Sequence, residues 1–390
     1  MGYASSRWTL LAVLCYSAPA IGQIGGRFYL EKNTFALGEP VFLNFEASNS
    51  AREPQDIIRA DPYSPCAGYE IHLSGDPSPT CPLLPEAGSC WSSWLTLGPG
   101  ARHNERILIN YAHQIIAPGN YVVEASRLVP YGPGGGRLLL QSTEEFHGRM
   151  EFFVDGTTKF DSEQLKAWVD QLQSADIAKR FEAGRTLASL APVSIESTLL
   201  GFIEDGRFTS LAPLAMHRLN TPRSIAALAA ILRRTQPGTP ENSQSAQFLA
   251  SSGDPQWFPL LLALARKRPA DGSYYYPAAE SGGDRAVPIF IELMHSGSGP
   301  TRQVAISALA YTGSRAAVPV LLDLLKNSDS NTSERALYGL RELTHRTLPG
   351  ASVSPQLQYP KWLEWWSRYS DSARIYKPTD CGEFIPLSRD

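Results

Sequence analysis

Seven histidines, five cysteines and a run of three tyrosines are the residues with the widest chemical range in this 390-residue chain. His103, Glu105, His113 and His147 carry the donor atoms of a metal centre, but their spacing matches no zinc-type ligand pattern, and surface or turn positions are the simpler reading. His217, His295 and His345 fall at or near the ends of expected helices, where a cation suits the negative end of the dipole. No HExxH, no Gly-x-Ser-x-Gly elbow and no glycine-rich loop followed by Lys-Ser/Thr is present. The stretch Gly132–Gly136 lacks the strand-to-helix setting of a phosphate cradle and reads as a hairpin loop. The expectation is therefore no catalytic residue, no metal, no cofactor and no enzyme.

The cysteines read as structural once the start of the chain is set aside. Residues 1–22 are expected to be a signal peptide: Arg7 gives a positive start, Trp8 to Leu14 is a short apolar run, and cleavage near Ala20 or Gly22 fits the small residues there. The apolar run is too short to span a bilayer, and no later segment is long enough, so a periplasmic or secreted location without a membrane span is expected. Cys15 follows Leu14, where lipidation asks for a small residue. Cys66, Cys81, Cys90 and Cys381 remain, and an even number in an oxidising compartment favours two disulfides. Cys81 and Cys90 bracket a turn-rich stretch and form one natural pair, which leaves Cys66 for Cys381; Cys66 with Cys81 or Cys90 stays open.

Binding residues are easier to nominate than catalytic ones. Tyr274, Tyr275 and Tyr276 lie in a poorly helical stretch, Pro269 to Glu280, and read as a loop that exposes at least one tyrosine for contact. Arg233-Arg234 and Arg266-Lys267-Arg268 end successive expected helices, with Lys326 ending a later one. Stacked in register these would make a basic ridge, with Arg233, Arg234, Arg266 and Arg268 as candidates for an anionic surface; the plainer reading sets them against helix dipoles. Trp362, Trp365, Trp366 and Tyr369 fall at i, i+3, i+4 and i+7, a stripe that packs against a preceding helix. Asn331-Thr332-Ser333 satisfies the glycosylation triplet but reads as a helix cap ahead of Glu334.

Two kinds of element must position these residues. From 23 to 156 the chain reads as β: Val41 to Ala47 alternates apolar and polar residues, and strands are expected at Tyr69–Leu73, Arg106–Asn110, Tyr121–Arg127, Arg137–Gln141 and Glu151–Val154, an antiparallel sandwich. From 157 to 370 the period becomes helical. Asp161, Thr221-Pro222 and Thr239-Pro240 are start signals, and Ile177, Phe181, Ala183, Leu187 and Leu190 form one apolar stripe. Ile195, Ile225, Phe258, Val287 and Val318 recur at intervals of about thirty residues, which marks a solenoid of stacked helix pairs. Residues 371–390 form a C-terminal tail.

The pairing of an Ala-Leu helix (Thr301 to Ala310) with a Val-Pro-Leu-Leu helix (Val318 to Leu325), together with Gly253-Asp254 and Gly283-Asp284, resembles HEAT repeats of the short bacterial kind grouped with phycobilisome-lyase-like repeats. The run Tyr359 to Trp366 resembles the aromatic helix that closes such arrays. Leu37-Gly38-Glu39-Pro40-Val41 and Pro118 to Val123 resemble strands of bacterial immunoglobulin-like domains. These likenesses imply an all-β immunoglobulin-like sandwich followed by an all-α HEAT/armadillo-type solenoid.

Net charge is −3, with Gln23–Asp155 acidic and the rest slightly basic, a balance that argues against nucleic acid as main partner. The acidic β domain is itself a candidate to face the basic ridge. The expected function is a non-catalytic scaffold that binds another protein or peptide through the solenoid. The alternatives are a small-ligand or glycan binder using exposed aromatics, and an enzyme with an unrecognised site.

Overall fold

The computed structural model describes residues 24–63, 67–76, 92–134, 142–160, 162–206, 208–269, 271–327, 329–347, 354–377 and 385–386. The expected signal peptide, all of the cysteines, the expected strand Arg137–Gln141 and the Asp161 cap lie outside these residues.

The N-terminal half is built from β1 (Ile24–Leu30), β2 (Thr34–Leu37), β3 (Phe42–Asn49), β4 (Gln55–Ala60), β5 (Tyr69–Asp76), β6 (Ser92–Leu97), β7 (Arg102–Leu108), the short helix α1 (Ile109–Ala112), β8 (Gly119–Pro133) and β9 (Ser142–Lys159). One sheet runs β1-β3-β7; the other runs β2-β9-β8-β4-β6, with β5 also on β8. Alternation along β8 turns one face inward, whereas β3 is buried on both faces from Phe42 to Phe45; Leu43, Ile107, Val123 and Val154 from both sheets share one core. Strands β8 and β9 run well beyond their expected ends as a long antiparallel pair, and the extension carries Val129 and Tyr131 into a second apolar cluster with Ile24, Phe45 and Ile57. The expected strand Arg106–Asn110 instead turns into α1 after Leu108.

A buried ion pair bolts the two sheets together. Glu105 on β7 accepts from the Arg127 guanidinium on β8 and from the Tyr69 hydroxyl on β5. Arg127 is 1% exposed; its Nη2 also donates to the Ile58 carbonyl at 3.2 Å, and its guanidinium lies 4.3 Å from the Tyr69 ring centre. Burial opposes ionisation of Glu105, but His103, Arg127 and Tyr69 outweigh it and hold the carboxyl below its usual range.

The second half comprises α2 (Ser162–Gln171), α3 (Ile177–Leu190), α4 (Glu196–Gly201), α5 (Ala212–Leu219), α6 (Pro222–Arg234), α7 (Pro240–Ser251), α8 (Phe258–Lys267), α9 (Gly272–Gly282), α10 (Val287–Ser296), α11 (Gly299–Tyr311), α12 (Ala317–Leu325), α13 (Ser330–Thr344), the bridge β10 (Arg346–Thr347), α14 (Pro355–Tyr369) and β11 (Ile385–Pro386). Helices α3, α5, α7, α9, α11 and α13 pack on one another in series as one layer. In the other layer α6, α8, α10 and α12 each pack against the first-layer helix that follows them. Thr221 and Thr239 cap α6 and α7 with proline at the first helical position, as their sequence signals predict. Between the layers Gly253, Gly283 and Gly313 turn with φ of 74°, 53° and 58°, a left-handed turn that recurs at the repeat interval and that glycine adopts without steric cost.

Several local expectations are corrected. Ile177 and Phe181 are exposed at the start of α3, and only Ala183 and Leu187 of that stripe are fully buried. The cap of α13 is Asp329, which accepts from the Asn331 and Thr332 amides, so Asn331 lies inside the helix. At the far end Trp362 and Trp365 are buried against the same core, and α14 packs on α12 and α13 as the lid an array needs. Beyond it the Tyr376 amide donates to Leu343 O at 2.8 Å while its ring stacks on His345 at 3.8 Å.

The two halves share a joint. Phe42, Leu108 and Tyr111 belong to the helical core, Phe42 stacks on Trp168 at 5.9 Å, and Arg106 pairs with Glu182 at 2.5 Å. Arg185 on α3 reaches Asp61 at 3.0 Å and lies 3.9 Å from the Tyr63 ring centre. Burial pushes the Tyr63 phenol up to about 12 although Arg185 pulls it down, so it stays neutral and accepts from the Leu108 amide at 2.6 Å.

Candidate binding surfaces

The tyrosine run is not a loop. Asp271 caps α9 by accepting from the Ser273 amide at 2.9 Å, and the helix carries Pro277 in its interior. Tyr274 and Tyr275 are 0% and 1% exposed, which overturns their reading as contact residues. Tyr274 donates to Asn242 Oδ1 at 2.6 Å and accepts from the Gly238 amide at 2.6 Å, tying α9 to the turn before α7. The physical reason is burial: large apolar rings fix a helix whose local propensity is poor.

Tyr276 does differ from its neighbours. It is half-buried and stacks on Tyr311 of α11, with ring centres 4.4 Å apart and planes 11° apart. Burial, then Tyr338, Tyr276 and Glu342, push the Tyr311 phenol well above its ordinary range, so the Tyr338 side chain of α13 is the next neighbour in line. Tyr338 is 49% exposed. Three successive first-layer helices thus carry an aromatic row that ends at the surface. Tyr311 and Tyr338 were missed from sequence because they sit alone, one per helix, and only the repeat register aligns them.

Two of the four ridge arginines staple neighbouring repeats. Arg234 donates to the Ile203 carbonyl, and Arg268 donates to the Pro237 carbonyl at 2.8 Å and pairs with Asp271 at 2.8 Å. Arg233 and Arg266 are exposed at the same helix ends. The β domain meets α2, α3 and α5 through Phe42 on Trp168, Asp61 on Arg185 and Tyr111 on Arg218.

The histidines are dispersed as well. His103 Nε2 lies 3.6 Å from Glu105, whereas His147 pairs at 3.6 Å with exposed Glu145 and His113 follows α1. Among the described residues no group of three or more His, Cys, Asp or Glu could hold a metal ion. His217 departs from the dipole expectation: burial and then Arg218 lower it to about 4, so it is neutral at pH 7. Its ring stacks on Phe248 at 4.3 Å.

Arg218, the next residue of α5, was not foreseen. It is 9% exposed, its Nη2 reaches the Tyr111 carbonyl at 3.5 Å, and its Nε has no partner. Among the described residues no carboxylate pairs with it, and burial lowers it to about 10. The nearby helix C-terminus offsets only about 0.3–1 kcal/mol of its charge, against an effective cost of several kcal/mol for burying an ion. Arg218 lines a cleft of about 260 Å³ with Gln114, Met216, His217, Asn220, Ile225, Leu228, Phe248, Ser251 and Ser252. A second, open polar cleft of about 530 Å³ lies between Arg106 and the α2–α3 turn.

Comparison with known proteins adds the repeat type. Residues 287–352 match the family model of HEAT repeats, so the helical half contains such repeats. No curated protein matches the chain significantly. Among solved structures, the complex of CpcE and CpcF of phycocyanin lyase from Nostoc sp. PCC7120 is similar at 16% identity, with 54% of this chain and 99% of that chain covered and a TM-score of 0.33. Salmonella alpha-2-macroglobulin is similar at 11% identity (90% of this chain, 27% of that chain, TM-score 0.20). The E. coli alpha-2-macroglobulin is similar at 10% identity (87% and 26%, TM-score 0.20). This chain therefore spans about a quarter of those macroglobulins. No helix among the described residues is long and apolar enough to cross a membrane.

Proposed function

We propose that the chain is an exported, non-catalytic scaffold that binds another protein or peptide through its helical repeats. In this reading residues 1–22 are removed, the protein works in the periplasm or outside the cell, and the β domain is of immunoglobulin type. The observation that carries it is the aromatic row Tyr276, Tyr311 and Tyr338 across α9, α11 and α13. Tyrosine supplies large, stiff, amphipathic contact area at low entropic cost and is enriched at protein interfaces. HEAT repeats as a class present such extended surfaces, with affinity spread over several repeats.

The test is affinity capture from extracytoplasmic extract, with wild type beside a Tyr311→Ala/Tyr338→Ala variant. A partner retained by wild type and lost by the variant supports the proposal; identical sets from both, or none above background, contradict it. The same stacked rings favour one second reading, a glycan binder, which a thermal-shift screen of oligosaccharides separates because a ligand of the native state alone raises the Tm.

A further inference from the structure

Arg218, His217 and Phe248 meet where the β domain joins the repeats. The cleft is lined by the polar residues Arg218, Gln114, Asn220, Ser251 and Ser252. The two serine hydroxyls already donate to main-chain carbonyls, Ser251 to Phe248 at 3.1 Å and Ser252 to Leu249 at 2.6 Å, so their lone pairs face any newcomer less favourably than the cation does. The apolar lining is Met216, Ile225, Leu228 and the stacked rings of His217 and Phe248. His217 is neutral there, which leaves Arg218 as the single positive charge among the described lining residues. Among the described residues this nine-tenths buried guanidinium has one long hydrogen bond and no acid beside it, which leaves donors in the forked geometry that matches a carboxylate.

We propose that this cleft binds a carboxylate carried on a small apolar body, with Arg218 gripping the carboxylate and the His217–Phe248 stack and Ile225 holding the body. A volume of about 260 Å³ fits an aromatic or branched acid and is too small for a nucleotide. Such a group comes either as a free organic acid or as the terminal carboxylate of a chain ending in an apolar residue. The site is distinct from the tyrosine row on α9, α11 and α13, so it stands whether or not that surface binds a partner.

The test is calorimetric titration of the purified full chain with benzoate and with benzamide, and with Ala-Ala-Phe as free acid and as amide. The expected result is saturable binding of at least one acid, weakened ten-fold or more in its amide and in Arg218→Met. The acid that binds better identifies the source. Ile225→Trp, which keeps the guanidinium and fills the cleft, is expected to abolish the same binding, so a poorly folded Arg218 variant does not decide the matter alone. Absence of binding by both acids overturns the proposal. So does binding that amidation, Arg218→Met and Ile225→Trp all leave unchanged.

Discussion

Arg268 donates from Nη1 to the main-chain oxygen of Pro237, 31 residues earlier in the chain, at 2.8 Å. Arg234 reaches back by the same 31 residues to Ile203, and Arg285 reaches Pro255 at 3.0 Å. The repeat period therefore sets not only the apolar core but also a series of side-chain staples between neighbouring bricks. Each binds a carbonyl at a turn or helix end, and that of Pro255 also accepts from the Phe258 amide.

Replacing Arg268 by Ala is expected to lower stability by about 1 kcal/mol, the net worth of a partly exposed hydrogen bond with its adjacent ion pair. Arg233→Ala, at an exposed helix end, should stay within about 0.5 kcal/mol of wild type. Urea denaturation of the two variants checks the contrast.

Tyr274→Phe removes a hydroxyl that serves Asn242 and the Gly238 amide at once. Buried Asn242 keeps its donor bonds to Leu232 O and Thr235 but loses the partner of Oδ1. A loss of about 1–3 kcal/mol is expected, read as a lower denaturation midpoint with unchanged m-value.

Glu105→Gln leaves Arg127 buried without its counter-charge, a change that in comparable sites costs about 3–5 kcal/mol. The melting transition of the β half should fall, and replacing both residues by apolar ones should recover much of the loss. Calorimetry of the single and double variants measures this.

Two buried groups give stability opposite pH dependences. The pKa of His217 falls from 6.5 to about 4 on folding, so the unfolded chain takes the proton first and stability drops as pH falls through that window. For Glu280 it rises from 4.5 to about 7 through burial, offset in part by Gln247 and Lys377, so stability is full below 4.5 and drops as pH rises toward 7. Each effect is on the order of 3 kcal/mol. His217→Gln should flatten the acid limb and Glu280→Gln the upper one in unfolding curves taken from pH 4 to 8.

The array was legible because its signals are local and repeated. Val287-Pro288 and Thr221-Pro222 announce helix starts by their own chemistry, and the interval from Ile195 to Val318 needs no partner to be read. What escaped depends on residues far apart in sequence. Tyr274 is helical because Asn242 and the core hold it, against the cost of Pro277 beside it. Arg127 finds Glu105 only when two sheets close, and Arg218 becomes a buried cation only when Tyr111 of the β half packs over α5. Tyr311 and Tyr338 carry no motif; repeat geometry alone brings them beside Tyr276.

The tyrosine row is the proposed contact surface, and site-specific photo-crosslinking tests that most directly. A photoreactive residue in place of exposed Tyr338, compared with one in place of exposed Glu292 on α10 in the other layer, should yield a discrete adduct with another protein at position 338 alone. Equal adducts at both positions, or an adduct at 292 and none at 338, would contradict it.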